Sequence, residues 1–156
     1  MFSVWIDADS CPQKVREFVF YRTQKQSVPL IFVANRKIPL PPDAQLIVCA
    51  PAEQAADDYI FAHCHKDDIV ITRDIPFAAR LQGKSVLVMN DRGTVFTKEN
   101  IGERLSERDF MLNLAEIGLG DSRKKTVYGK KEFDAFCRAF DRDFSQRLMI
   151  ERYKKP

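Results

Sequence analysis

Five short apolar runs, rich in β-branched residues, recur over the first 90 positions of this chain: 3–7 (SVWID), 28–34 (VPLIFVA), 44–49 (AQLIVC), 68–73 (DIVITR) and 84–90 (KSVLVMN). They are apolar on both faces, the mark of strands covered on both sides in a parallel sheet. Strict alternation would mark a sheet with one wet face. Parallel strands need crossover connections, and the stretches between the runs supply them. Residues 11–26, 52–63 and 75–82 carry apolar side chains at helical spacing. The rhythm predicts an α/β fold: a mostly parallel, Rossmann-like sheet of about five strands with helices on both faces. The connection between the second and third runs, Ile38-Pro39-Leu40-Pro41-Pro42, is too short and too Pro-rich for a helix.

After Asn90 the strands stop. Asp91-Arg92-Gly93 is a turn signal, and 99–117 is a helical pattern carrying Ile101, Leu105, Leu112 and Leu114. Residues 118–129 hold three glycines and the basic triplet Arg123-Lys124-Lys125, and read as a mobile loop. Over 131–153, Phe133, Phe136, Cys137, Phe140, Phe144 and Leu148 recur at helical spacing. That spacing makes a docked C-terminal helix, its phenylalanines core rather than a base-stacking platform. The chain reads as a single domain over 1–156, an α/β body to about residue 117 followed by a basic loop and terminal helix. A chain of this length buries ~70% of its unfolded surface, enough for a core without metal or disulfide.

The formal charge of +3 hides an uneven distribution. Residues 1–120 carry 14 basic and 16 acidic side chains, net −2, and residues 121–156 carry 11 and 6, net +5. An acidic body with a basic tail suggests divided labour. The four cysteines, at 11, 49, 64 and 137, form no C-x-x-C pair. Neither a disulfide framework nor a zinc knuckle is signalled, and a reducing compartment is expected. No apolar run approaches the ~20 residues of a membrane span, and the N-terminus lacks a basic leader segment. The expectation is a soluble cytoplasmic protein with no membrane partner.

The first run ends in Asp7-Ala8-Asp9-Ser10-Cys11-Pro12. In an open parallel sheet, ligands bind beyond the carboxyl ends of the strands. Both aspartates fall there, and positions 7 and 9 share a side of extended backbone. Ser-Cys-Pro is a helix start, with Ser10 or Cys11 as cap and Pro12 in the first turn. Capping that helix is the bland alternative for Asp9. The fourth run repeats the arrangement, Ile71-Thr72-Arg73-Asp74 leading into Ile75-Pro76 at another helix start. Asp57-Asp58 lies inside the helical stretch 52–63, with Asp57 four residues after Glu53; a solvated helix face is the bland explanation there. Asn90-Asp91 closes the fifth run, where turn chemistry alone suffices. Aspartates gathered at one sheet edge repel unless a cation neutralises them, so the cluster predicts a divalent metal.

Taken together, Asp7-Ala8-Asp9-Ser10-Cys11-Pro12, Ala56-Asp57-Asp58 with Ile60, Ile71-Thr72-Arg73-Asp74-Ile75-Pro76, and Asn100-Ile101-Gly102-Glu103-Arg104-Leu105 before Arg108-Asp109 resemble the uncharacterised bacterial YaiI/YqxD family. The resemblance spans roughly residues 4–145. That family is placed near the PIN-like nucleases, which implies a PIN-like domain with an acidic metal site. PIN nucleases are similar in having an aspartate after the first strand, an acidic residue in a later helix, and a T-x-D string after the fourth strand. A further acid or amide follows the next strand. The corresponding residues here are Asp7, Asp57 or Asp58, Thr72 with Asp74, and Asn90 or Asp91. Asp9 departs from the pattern, standing where many PIN domains have an amide.

The function expected is phosphodiester hydrolysis, with RNA as partner and Mg2+ or Mn2+ as cofactor. Hydrolysis needs an activated water and neutralisation of charge on the phosphate, which one or two ions ~4 Å apart supply. Magnesium takes one or two protein carboxylates and keeps its other waters. Asp7 and Asp74 are the expected direct ligands, with Asp9 and Asp57 or Asp58 direct or water-mediated. Thr72, Arg73, Arg36 after the second run, and Arg104 and Arg108, four apart on one helix face, are candidates for holding the substrate. Lys124 and Lys125 suit salt-dependent phosphate binding.

Two other classes compete. A haloacid dehalogenase-type phosphatase opens with D-x-D-x-T and a nucleophilic first aspartate, but Cys11 stands at the Thr position and Asp57-Asp58 reads as helical. A non-catalytic RNA-binding or regulatory protein would keep the acidic pocket for a structural ion. Cys11 lacks an identifiable basic partner and reads as a packed side chain. His63-Cys64-His65 reads as a helix-end surface run, because near neighbours on a helix do not share a face.

Overall fold

The structure, a computed structural model, describes residues 1–119 and 127–154. Strands β1 (Val4–Asp7), β2 (Leu30–Ala34), β3 (Gln45–Val48), β4 (Ile69–Ile71) and β5 (Leu87–Met89) are parallel, and β6 (Val95–Phe96) is antiparallel. Their order is β3-β2-β1-β4-β5-β6. The helices are α1 (Gln13–Lys25), α2 (Ala55–His63), α3 (Ile75–Leu81), α4 (Lys98–Glu116) and α5 (Lys130–Lys154). Each of the five apolar runs contains one of the parallel strands. The sixth strand, two residues long and paired to β5 through Val88–Phe96 and Met89–Val95, is too short to leave a sequence signal.

Alternation along the strands divides the apolar side chains between two cores. Val4 and Ile6 of β1, Phe32 and Ala34 of β2, Ile69 and Ile71 of β4 and Met89 of β5 pack with Val15 and Val19 of α1 and Phe136, Phe140 and Phe144 of α5. Trp5, Ile31, Val33, Val70 and Val88 face the other way, onto Ala56 and Ile60 of α2 and Phe77, Ala78 and Leu81 of α3. Two covered faces are why the runs of β1, β2, β4 and β5 are apolar at consecutive positions; β3, at the sheet edge, is half-exposed instead, with Gln45 and Val48 at the surface. The α5 phenylalanines are core, as their spacing predicts. Phe136, Phe140 and Phe144 stack in series with centroids 5.7 and 5.1 Å apart, and Phe18 of α1 meets Phe136 and Phe140 edge-on.

Two local expectations are corrected. Pro12 precedes α1 rather than entering its first turn, and no side chain caps that helix, so neither Ser10 nor Cys11 serves. Helix α2 starts at Ala55, later than 52, which puts Asp57 in its first turn and leaves Glu53 outside it. Helix α4 opens with a capping box, Thr97 accepting from the Asn100 amide and Asn100 accepting from Thr97. Yet none of its residues is buried, and Phe110, Met111 and Leu112 are exposed. Consecutive apolar residues spread around a helix instead of forming a stripe, so α4 engages the body through Ile101 at its beginning. No helix among the described residues is long and apolar enough to cross a membrane.

From β1 the chain winds outward to β2 and β3, then returns to β4 on the other side of β1. At such a reversal of strand order a crevice opens beyond the carboxyl ends. It lies between β1 and β4.

Phe140→Ala, which empties a fully buried position, is expected to destabilise the protein by ~3–5 kcal/mol, read as a lowered urea midpoint. Phe110→Ala, whose side chain is 62% exposed, is expected to stay within ~0.5 kcal/mol of wild type.

Candidate functional site

Asp7 is the last residue of β1, on the side of the strand where Trp5 meets α2 and α3. Thr72, buried just past β4, donates its Oγ1 hydrogen to Asp7 Oδ2 at 3.0 Å. The same Oγ1 accepts from the Asp74 amide at 3.1 Å. One hydroxyl thereby ties together the ends of the two central strands. Asp74 caps α3, its Oδ1 accepting from the Phe77 amide at 3.0 Å. Asp9 caps nothing: its Oδ2 accepts from the Asn35 amide, 2.8 Å away at the end of β2. Asp57 is 8% exposed at the start of α2. Asp7, Asp9, Asp57 and Asp74 line one cleft of about 460 Å³, together with Asn35, Glu53, Arg73 and Arg108.

Burial raises the proton affinity of two members of this cluster, Asp7 and Asp57. Burial pushes the Asp7 carboxyl up to about 6; the Thr72 hydrogen bond opposes the rise, and the charges of Asp9 and Asp74 add to it. Burial carries Asp57 to about 7, helped by the charges of Asp7 and Asp74 and a hydrogen bond with Asp74, and opposed by Arg80. Asp7 and Asp57 therefore keep protons that isolated carboxylates release.

The chemistry of these donors fits a hard divalent cation, since all are carboxylate oxygens. Beside them Asn35 Oδ1 is buried with no hydrogen-bond partner, an orphan acceptor at the same cleft. Among the described residues no three His, Cys, Asp or Glu side chains stand as a ready-made ligand set. Magnesium, which takes one or two carboxylates and keeps its waters, does not require three.

Other residues singled out by sequence are distributed differently. Asp58 turns outward, exposed and paired with Arg80 at 2.9 Å. Adjacent helix positions differ by ~100°, so only Asp57 of the pair faces the cleft. Arg73 and Arg108 line the cleft; Arg104 and Arg36 are exposed and do not. Lys124 and Lys125, in the basic stretch read as a loop, lie outside the described residues. Asn90 does the turn chemistry expected, its Oδ1 accepting from the Arg92 and Thr94 amides. Asp91 is buried against Arg73 and away from the cleft. Burial pushes the Cys11 thiol up to about 12, which rules out a thiolate at neutral pH. His63 stacks on Tyr59 while Cys64 is buried, so the His-Cys-His run is no clip.

Sequence reasoning missed Asn35. The signal existed, because Asn35 directly follows an apolar strand as Asp7-Ala8-Asp9 and Asp74 follow theirs.

Fold and strand-end residues together define an open, doubly wound α/β protein with an acidic cleft at its switch point. The family model described as "Uncharacterized BCR, YaiI/YqxD family" matches residues 5–146, and the chain belongs to that family. A UPF0178 protein of Treponema denticola is 44% identical over 138 residues, 88% of this chain and 88% of the relative. One from Pseudoalteromonas atlantica is 40% identical over 146 residues, covering 92% and 99%. A third, from Treponema pallidum, is 38% identical over 155 residues, covering 98% and 87%. No solved structure matches the chain.

The raised values of Asp7 and Asp57 carry a pH dependence. Unfolded, both carboxyls release their protons near 3.8; folded, they hold them to about 6 and about 7. Their stabilising contribution is complete below 3.8 and is lost as pH rises to about 7. In metal-free protein, Asp57→Asn is therefore expected to gain on wild type in urea midpoint between pH 4 and 8, the gain levelling off above about 7.

Proposed function

We propose that the protein is a divalent-metal-dependent nuclease of PIN-like type that hydrolyses phosphodiester bonds in RNA. The observation that carries this reading is the convergence of Asp7 and Asp9, Asp57, and Asp74, from three separate places in the chain, on a cleft that two arginines also line. Asp7 and Asp74 would hold Mg2+ or Mn2+ directly, each through an oxygen not engaged by Thr72 or Phe77. Asp9 and Asp57 would reach it through water. Such an ion, when bound, supplies charge neutralisation at the phosphate and a more acidic water.

The chain's own residues do the rest. Thr72 holds the Asp7 carboxylate in one orientation. Asp57, backed by Asp74, is placed to take up a proton as water attacks phosphorus. Arg73 and Arg108 bring positive charge to the nonbridging oxygens. The resemblance to PIN-like nucleases points to RNA, and the +5 of residues 121–156 suits a polyanion. The four unpaired cysteines suit a reducing cytoplasm.

A non-catalytic RNA-binding role, with a structural ion in the cleft, is favoured by the net +5 of residues 121–156, which suits a polyanion whether or not it is cut. Cleavage separates the two readings. Purified protein is expected to cut a labelled single-stranded RNA in Mn2+ or Mg2+ and to stop in EDTA. Asp7→Asn and Asp74→Asn are expected to lower the rate at least ~100-fold. RNA binding that survives both substitutions, without cleavage by wild type, would establish the non-catalytic role instead.

A further inference from the structure

The acid after the fifth strand is, by the PIN-like pattern, a metal-site residue. Asp91 is not built for that. It is 2% exposed and absent from the cleft wall. The hollow it shares with Asp7, Cys11, Thr72 and Arg73 is too small to admit a water, let alone a hydrated ion. Its charge is answered by Arg73, whose Nε donates to Asp91 Oδ2 at 2.5 Å.

That contact uses one edge of the guanidinium. An arginine carries five N–H donors in a rigid planar fork, so the four on its terminal nitrogens remain. The Arg73 side chain is 43% exposed and lines the cleft beside Asp74. A fork held along one edge presents the other as a pair of parallel donors, the geometry that matches two oxygens of a phosphate.

Asp91 is itself held from behind. Tyr128 donates its hydroxyl to the Asp91 carbonyl at 2.6 Å. At Gly93, two residues on, φ is +82°, and an added Cβ would come within 2.6 Å of the Ala135 carbonyl oxygen on α5. Only glycine permits α5 to press that closely on the turn.

We propose that Asp91 is a positioning residue, buttressed by Tyr128 and α5, that fixes Arg73 as the receptor for one phosphate of a single-stranded RNA at the rim of the acidic cleft. This deepens the nuclease reading and rests on it. The test is equilibrium binding of a short fluorescent single-stranded RNA across a salt series, in Ca2+ with the strand recovered intact. Wild type, Arg73→Ala, Asp91→Asn, Tyr128→Phe and the variants combined with Arg73→Ala are compared, each with its urea midpoint.

Arg73→Ala is expected to weaken binding about tenfold and to reduce the salt slope by ~0.7, the loss of one phosphate contact. Asp91→Asn and Tyr128→Phe are expected to reproduce part of that loss while Arg73 is present and none once it is gone. Should Asp91→Asn fail to fold, Tyr128→Phe carries the same comparison. Unchanged affinity and slope in Arg73→Ala, or losses that persist in its absence, would overturn the proposal and leave the nuclease reading standing. Absence of RNA binding by wild type would overturn both.

Discussion

The hydrogen bond from Thr72 to Asp7 joins the carboxyl ends of β1 and β4, and the cleft depends on it. It stands against a larger opposing effect. A hydrogen bond to a charged group is worth ~1.5–3 kcal/mol. With that bond in place, burial and the neighbouring carboxylates still lift Asp7 from 3.8 to about 6, a penalty on its charged form on the order of 3 kcal/mol. Desolvation wins, with repulsion adding to it, and the apolar cores on the two faces of the sheet supply the stability that lets the fold tolerate it. A bound cation is what would offset the penalty, and the placement of so many aspartates at one strand reversal is otherwise hard to motivate.

Two halves of the same alternation build the core under α5 and the cleft. Side chains on the Val4 and Ile6 face meet α1 and α5, where the stacked phenylalanines concentrate the burial. Those on the Trp5 face meet α2 and α3, and beyond the strand ends that face opens into the cleft. Helix α5 nevertheless reaches the β5–β6 turn beside the cleft. Its close approach at Gly93, and Tyr128 just before it, brace the β5–β6 turn that carries Asp91 and so Arg73.

Most of the fold was legible because a parallel sheet writes a simple signal. Runs such as 28–34 and 68–73 are continuous because both faces are buried, and Asp7-Ala8-Asp9 and Asp74 stand out because polar residues interrupt them at the strand ends. What was not legible depends on contacts distant in sequence or on local phase. Choosing Asp57 over Asp58 requires the helix phase, which a start three residues later than expected shifts. The Asp9–Asn35 and Arg73–Asp91 contacts link residues 26 and 18 apart, and nothing in either neighbourhood announces its partner. Helix α4 is legible as a helix from its pattern, but its apolar residues spread around the axis, so Leu105 and Leu114 are half-buried while Leu112 is exposed. Membership in the YaiI/YqxD family was readable from short strings, two of them at strand ends, where sidedness and turn chemistry constrain the positions, and the others in helices α2 and α4.

The central claim is that the acidic cleft is a divalent-metal site. Anomalous diffraction from crystals soaked in Mn2+ at pH 8 tests it most directly, since the carboxylates are then ionised. A manganese peak is expected inside the cleft, with oxygens of Asp7 and Asp74 at ~2 Å and Asp9 and Asp57 within reach of its waters. A cleft without manganese at saturating concentration, or an ion seated away from Asp7 and Asp74, would contradict it.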